Sequence, residues 1–153
     1  MMKKVFITEN EQQTAKIAAK VANIAQKGDA FALYGTLGMG KSVFARAFIQ
    51  ELTQAQEVPS PTFTLVQSYP LNDMEIYHFD LYRLKSPEEI FELGFEEAVY
   101  GGISIIEWPE KAGPYLPKDI FKINITNEED KRIFEIITDS PKKQKRLEML
   151  NEF

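Results

Sequence analysis

Residues Gly35-Thr36-Leu37-Gly38-Met39-Gly40-Lys41-Ser42 satisfy the spacing Gly-x-x-x-x-Gly-Lys-Ser/Thr in full. Each residue type has a chemical use there. Glycines let backbone N–H groups curl around phosphate oxygens, so Gly35, Gly38, Met39, Gly40, Lys41, Ser42 and Val43 form the expected phosphate-binding set. A helix starting at the loop would add the positive end of its dipole. Lys41 can reach β and γ phosphates, and Ser42 offers a hydroxyl to magnesium. By average residue frequencies the pattern arises by accident in roughly one chain in 200 of this length. The guanine-reading tetrapeptide Asn-Lys-x-Asp is absent, which favours ATP.

A phosphate-transfer site also needs acid near the metal, and two apolar runs end in one. Ile76-Tyr77-His78-Phe79-Asp80 and Ile103-Ser104-Ile105-Ile106-Glu107 both read as strands. Ligands of α/β sheets bind beyond the carboxyl ends of strands, so Asp80 and Glu107 are expected at the same crevice as the loop. His78 lies two residues before Asp80 and shares its side of the strand, where a lone histidine reads first as structural. Thr62 follows a proline-rich connection and is a candidate for sensing the γ phosphate, against the plainer reading of an ordinary strand threonine.

These groups need a scaffold. Residues 5–7 suggest a short strand, and Thr8 with Glu11 a capping box for a helix on which Ile17, Ala18, Val21, Ile24 and Ala25 share one side, with Gly28 closing it. Residues 30–34 form a compact apolar strand before the loop, and Phe44, Phe48, Ile49 and Leu52 mark the helix after it. Extended runs over 62–69 and 75–82 flank a turn at 71–73 and predict a hairpin. Ser86 and Pro87 begin a further helix, Gly94, Gly101 and Gly102 are breakers, and 121–125 with 133–138 predicts a C-terminal hairpin. From about residue 140 a terminal helix is expected, with Lys142, Lys143, Lys145 and Arg146 on its solvated face. The order predicts an α/β protein, a three-layer P-loop NTPase fold with a mixed parallel/antiparallel central sheet, in one domain over 1–153.

Composition narrows the chemistry. Cysteine is absent and histidine occurs once among 153 residues, which sets aside zinc, iron–sulfur and thiol sites and leaves oxygen ligands that suit magnesium. The net charge of −5 opposes stand-alone nucleic-acid binding. No apolar run approaches a membrane span and the N-terminal one stops after three residues, so a cytoplasmic protein without membrane contact is expected.

The loop, then Ser60-Pro61-Thr62-Phe63-Thr64-Leu65, then His78-Phe79-Asp80-Leu81-Tyr82-Arg83-Leu84, then Glu107-Trp108-Pro109-Glu110, resemble the bacterial TsaE (formerly YjeE) family in order and spacing. The likeness spans about residues 14–132. It implies a weak Mg-dependent ATPase that supports threonylcarbamoyladenosine modification of tRNA beside the anticodon, with TsaB and TsaD as partners and tRNA met only through their complex. By the same resemblance Ser42 and Glu107 would be magnesium ligands, Asp80 the Walker-B-like acid, Lys41 and Thr62 catalytic groups with Thr62 a switch residue. Trp108 would flank the nucleotide, and Arg132 or the segment near Asn10 would touch its base or ribose. The chain departs from the usual family loop at Thr36, Met39 and Ser42, where Asp, Ala and Thr are common; Ser42 keeps the hydroxyl ligand.

Two other functions share the loop. A small P-loop kinase would need a lid with several arginines, yet Arg46 and Arg83 are the only ones between the loop and Glu107. A nucleotide-gated binding module would use ATP without turnover. All three require Lys41: its replacement by Ala is expected to weaken ATP binding by roughly 30-fold or more, because a charged hydrogen bond to phosphate is lost. Nucleotide titration of the folded variant checks this, and unchanged affinity contradicts the loop assignment.

Overall fold

A computed structural model describes residues 1–35, 40–53 and 55–150. Its frame is one seven-stranded sheet in the order β1-β7-β6-β2-β5-β4-β3. The strands are β1 (Met2–Thr8), β2 (Ala30–Tyr34), β3 (Val66–Leu71), β4 (Met74–Asp80), β5 (Ile103–Glu107), β6 (Phe121–Glu128) and β7 (Lys131–Thr138). The most apolar runs take the middle: β2 and β5 are parallel neighbours, flanked by β6 and β4, also parallel to them. Every residue of β5 is buried, as expected of a strand covered on both faces. The outer pairs β1/β7, β6/β7 and β3/β4 are antiparallel, so the sheet is mixed.

Alternation along the central strands divides two cores. Phe31 and Leu33 of β2 face α1 (Glu11–Ile24) and α2 (Lys41–Thr53), where Phe44, Phe48, Phe121 and Phe134 complete an aromatic cluster. Phe31 stacks on Phe121 with centroids 4.8 Å apart. Each buried phenyl contributes about 1.5–3 kcal/mol relative to an exposed one. Ala30 and Ala32 face the other way, under the 3-10 helix Pro87–Leu93 and α3 (Phe95–Gly101), with Phe79, Ile90, Phe95 and Ile106. Helices on both faces of the sheet give the expected three layers. Gly102 admits no side chain before β5, because a Cβ there would collide with the Glu75 carbonyl.

Several local expectations change. The first strand runs from Met2 to Thr8, and the cap of α1 is Asn10 rather than Thr8: Asn10 Oδ1 accepts from Gln13 N at 2.9 Å while Gln13 Oε1 accepts from Glu9 N at 2.7 Å. This resembles a capping box shifted two residues, except that Gln13 reaches the N–H of Glu9, one residue before the cap; the shift follows because Thr8 stays in β1 and its buried hydroxyl meets that of Thr14 at 3.1 Å. Helix α1 ends at Ile24 with Ala25 extended, ahead of Gly28. Residues 62–64 turn instead of extending, so β3 starts only at Val66. The segment after Ser86 is a 3-10 helix.

The terminal helix α4 (Pro141–Leu147) is present, but its basic residues do not share one solvated face. Lys143 and Arg146 turn inward. Arg146 donates to both oxygens of Asp29, one at 2.8 Å, and to the Ile24 carbonyl at 2.7 Å. Lys143 Nζ lies 3.3 Å from Asp119 and 3.8 Å from Asp29. The cause is Asp29, a buried carboxylate that needs counter-charge at the start of β2. Arg146→Leu is therefore expected to destabilise the fold by about 3 kcal/mol, the cost of a buried charge stripped of its main partner. Lys142→Leu, at an exposed position of the same helix, is expected to stay within about 0.5 kcal/mol. Urea unfolding of the two variants checks the difference.

Candidate functional site

Three features of the sheet converge at its carboxyl edge. The parallel register sets Asp80 of β4 opposite Glu107 of β5, and Leu33 of β2 opposite Glu107. Chain leaving β2 thus starts at the level of both acids. Helix α2 begins beside them with Lys41 and Ser42 as its first two residues, and Gly40, at φ +89°, turns the chain into it. That conformation is what calls for glycine there; a Cβ would only press on the end of the Arg132 side chain, 3.1 Å from Nη1.

These residues line a cavity of about 470 Å³, a volume ordinary for a small-molecule site. Ser42 Oγ donates to Glu107 Oε1 at 3.3 Å, and His78 Nε2 lies 2.7 Å from Glu107 Oε2. Glu107 and His78 are almost fully buried. On the adjacent strand Thr62 Oγ1 donates to Asp80 Oδ2 at 3.1 Å, and Tyr82 N to Oδ1 at 3.1 Å. Since the Thr62 hydrogen goes to Asp80, Ser60 Oγ, 2.7 Å from Thr62 Oγ1, must supply the hydrogen between those two hydroxyls. The segment closes on the strand end by backbone too: Asp80 N donates to the Leu65 carbonyl at 3.0 Å, with Leu65 at φ +69°. A leucine there costs about 1–3 kcal/mol.

Lys41 is buried, and its Nζ donates to the Gly35 carbonyl at 2.7 Å. Trp108 leaves β5 in a left-handed conformation, φ +57°, which folds its ring over that ammonium at 3.6 Å. Burial lowers the Lys41 pKa from its ordinary value, while Glu107, Glu110 and Asp80 oppose the shift. The described contacts of the Lys41 ammonium are thus one carbonyl and one aromatic face, with three acids near enough to favour its charge.

Of the expected site residues, Asp80, Thr62, Glu107 and Trp108 line the cavity together with Gly40, Lys41, Ser42 and Val43. Asn10 and Arg132 line the same cavity, as do Glu9 and Asp130. Gly35 takes part through its carbonyl. Gly38 and Met39, with Thr36 and Leu37, lie outside the described residues. Sequence reasoning missed Ser60, although it sits in a quoted motif two residues before Thr62, and Thr14 and Asp130, which carry no signal of their own. It left His78 as a structural histidine; the contact with Glu107 joins strands whose pairing no spacing rule supplies.

A cation fits the donors present. Ser42 Oγ and the Glu107 carboxylate are hard oxygens held close together, as magnesium prefers. Among the described residues no group of three or more His, Asp or Glu could hold a metal alone. An ion here would therefore complete its shell with phosphate oxygens and water. Among the described residues no helix is long and apolar enough to cross a membrane.

Comparison with known proteins identifies the family and matches the fold. The family model described as "Threonylcarbamoyl adenosine biosynthesis protein TsaE" matches residues 8–134. A Rickettsia felis protein named tRNA threonylcarbamoyladenosine biosynthesis protein TsaE is 43% identical over 138 residues, covering 89% of this chain and 81% of the relative. The Bacillus subtilis protein of the same name is 35% identical over 119 residues, covering 77% and 74%. The crystal structure of Bacillus subtilis YdiB superposes with a TM-score of 0.82 at 27% identity, covering 96% of this chain and 93% of that one. By the family model and these relatives, the chain belongs to the TsaE family of threonylcarbamoyl adenosine biosynthesis proteins.

Proposed function

We propose that this chain is the Mg-dependent ATPase required for threonylcarbamoyladenosine modification of tRNA, acting in the cytoplasm with TsaB and TsaD as one P-loop domain and meeting tRNA only through their complex. The observation that carries this is the Ser42–Glu107 pair beside Lys41 in one cavity. A lysine, a hydroxyl and a buried carboxylate at the mouth of a Gly-rich loop are the groups that phosphate and a divalent ion require.

Each group has a task its position supports. Lys41 binds β and γ phosphate oxygens, leaving the Gly35 carbonyl and the Trp108 ring to do so. Ser42 and Glu107 hold magnesium, which when bound neutralises the charge on the phosphates. Asp80 presents a carboxylate fixed by Thr62 and Tyr82 N, suited to orient the attacking water. Thr62 gives up that hydrogen bond when it turns to a γ phosphate, which makes the 60–65 segment responsive to the nucleotide. Trp108 offers its ring to the nucleotide, and Asn10 and Arg132, which line the same cavity, are the candidates to touch its base or ribose.

Glu107→Ala is expected to raise the magnesium concentration needed for half-saturation of the ATP complex at least about tenfold, with metal-free nucleotide binding little changed. Overlaid magnesium titrations of variant and parent would contradict the ligand role. Asp80→Asn is expected to keep the fold and ATP affinity while lowering turnover roughly 100-fold or more. Reconstitution of tRNA modification with TsaB and TsaD tests what the pathway takes from this protein. Modification that stops while ATP still binds means that hydrolysis is required; full modification by the Asn variant removes Asp80 from the site.

A further inference from the structure

His78 is the one histidine of the chain, and its surroundings are unusual for a residue that only packs. It sits near the carboxyl end of β4, 2% exposed. Its Nε2 meets Glu107 Oε2 at 2.7 Å, while Nδ1 is buried with no hydrogen-bond partner among the described protein groups. A buried polar atom left without a partner costs about 1–3 kcal/mol. An apolar side chain would fill the same space without that cost, so the ring is accounted for by its single polar contact.

The contact constrains Glu107. A carboxylate can only accept hydrogen bonds, so the hydrogen shared with Oε2 belongs to His78 Nε2. The other oxygen, Oε1, then faces Ser42 Oγ. With Oε2 held by a buried ring on a strand, rotation of the carboxylate about its last bond would break that hydrogen bond. Without the histidine, Oε2 becomes a buried acceptor lacking its partner. Glu107 is then free to turn toward Lys41, the ammonium on which it exerts the largest influence of any acid.

We infer that His78 is a positioning residue for the metal: by donating from Nε2 to Glu107 Oε2 it fixes the carboxylate with Oε1 toward Ser42 and the ion. The inference rests on the proposed magnesium site, and it predicts effects on metal affinity rather than on phosphate binding. Groups that orient a ligand in this way typically change metal affinity 10- to 100-fold when removed.

The test measures Mn²⁺ binding by electron paramagnetic resonance to the full chain with a non-hydrolysable ATP analogue. His78→Phe, checked for folding by thermal melting, is expected to raise the Mn²⁺ concentration for half-saturation about 10- to 100-fold, with affinity for the metal-free analogue within about twofold. His78→Gln, whose amide nitrogen can replace Nε2, is expected to stay within about threefold of the parent. If the Phe variant does not fold, His78→Asn, whose amide falls short of Glu107, replaces it. In a Glu107→Ala background the change at residue 78 should have no further effect, because it acts through that carboxylate. A Phe or Asn variant that binds Mn²⁺ like the parent, or a Gln variant as weak as either, overturns the role of His78 while leaving the site intact. Glu107→Ala binding Mn²⁺ like the parent overturns the metal site and the inference together.

Discussion

The parallel pairing of β4 with β5 is the constraint on which the site depends. It places Asp80 directly opposite Glu107, and because β5 also pairs with β2 in parallel, the chain leaves β2 at the same edge. A shift of one residue in either pairing would turn the acids to the opposite face, since side chains alternate along a strand. The alternation that buries Phe31, Leu33, Ile76 and Ile105 under α1 and α2 is therefore what aims His78, Asp80 and Glu107 toward the start of α2. Core and site are specified by the same register.

Holding this much charge below the surface is costly unless each group has partners. Asp80 satisfies both oxygens within the protein, through Thr62 and Tyr82 N. Glu107 shares its oxygens between Ser42 and His78. Among the described residues the ammonium of Lys41 meets a carbonyl and an aromatic face, and burial lowers its affinity for the proton. A phosphate would offer that ammonium far stronger acceptors. At the opposite end of β2 the chain handles a buried acid differently, surrounding Asp29 with Arg146 and Lys143.

Much of this was legible from residues 35–42 and from the two apolar runs that end in acid. Gly-x-x-x-x-Gly-Lys-Ser predicts strand, loop and helix, and β2 and α2 follow it. Periodicity located both helices of one layer and both hairpins. It could not locate tertiary partners. Lys143 and Arg146 look solvated because helix spacing carries no trace of Asp29, more than 100 residues away. Asn10 replaced Thr8 as the cap because β1 extends through Thr8 to pair with Arg132, a long-range contact that overrides a local signal. Thr62 reads as a strand residue by propensity, yet Pro61 and the left-handed Leu65 hold it in a turn against Asp80. The partner of His78 lies 29 residues on, and only the strand order brings it near.

The central claim is that nucleotide and metal share the cavity between α2 and the ends of β4 and β5, with the ion on Ser42 and Glu107. A crystal structure with manganese and a non-hydrolysable ATP analogue, with anomalous scattering used to locate the ion, tests this most directly. The account predicts a single manganese peak in contact with Ser42 Oγ and the Glu107 carboxylate, with Lys41 turned from Gly35 and Trp108 to the phosphates. A peak bound away from these two residues, or phosphates seated elsewhere while Lys41 keeps its hold on Gly35, would contradict it.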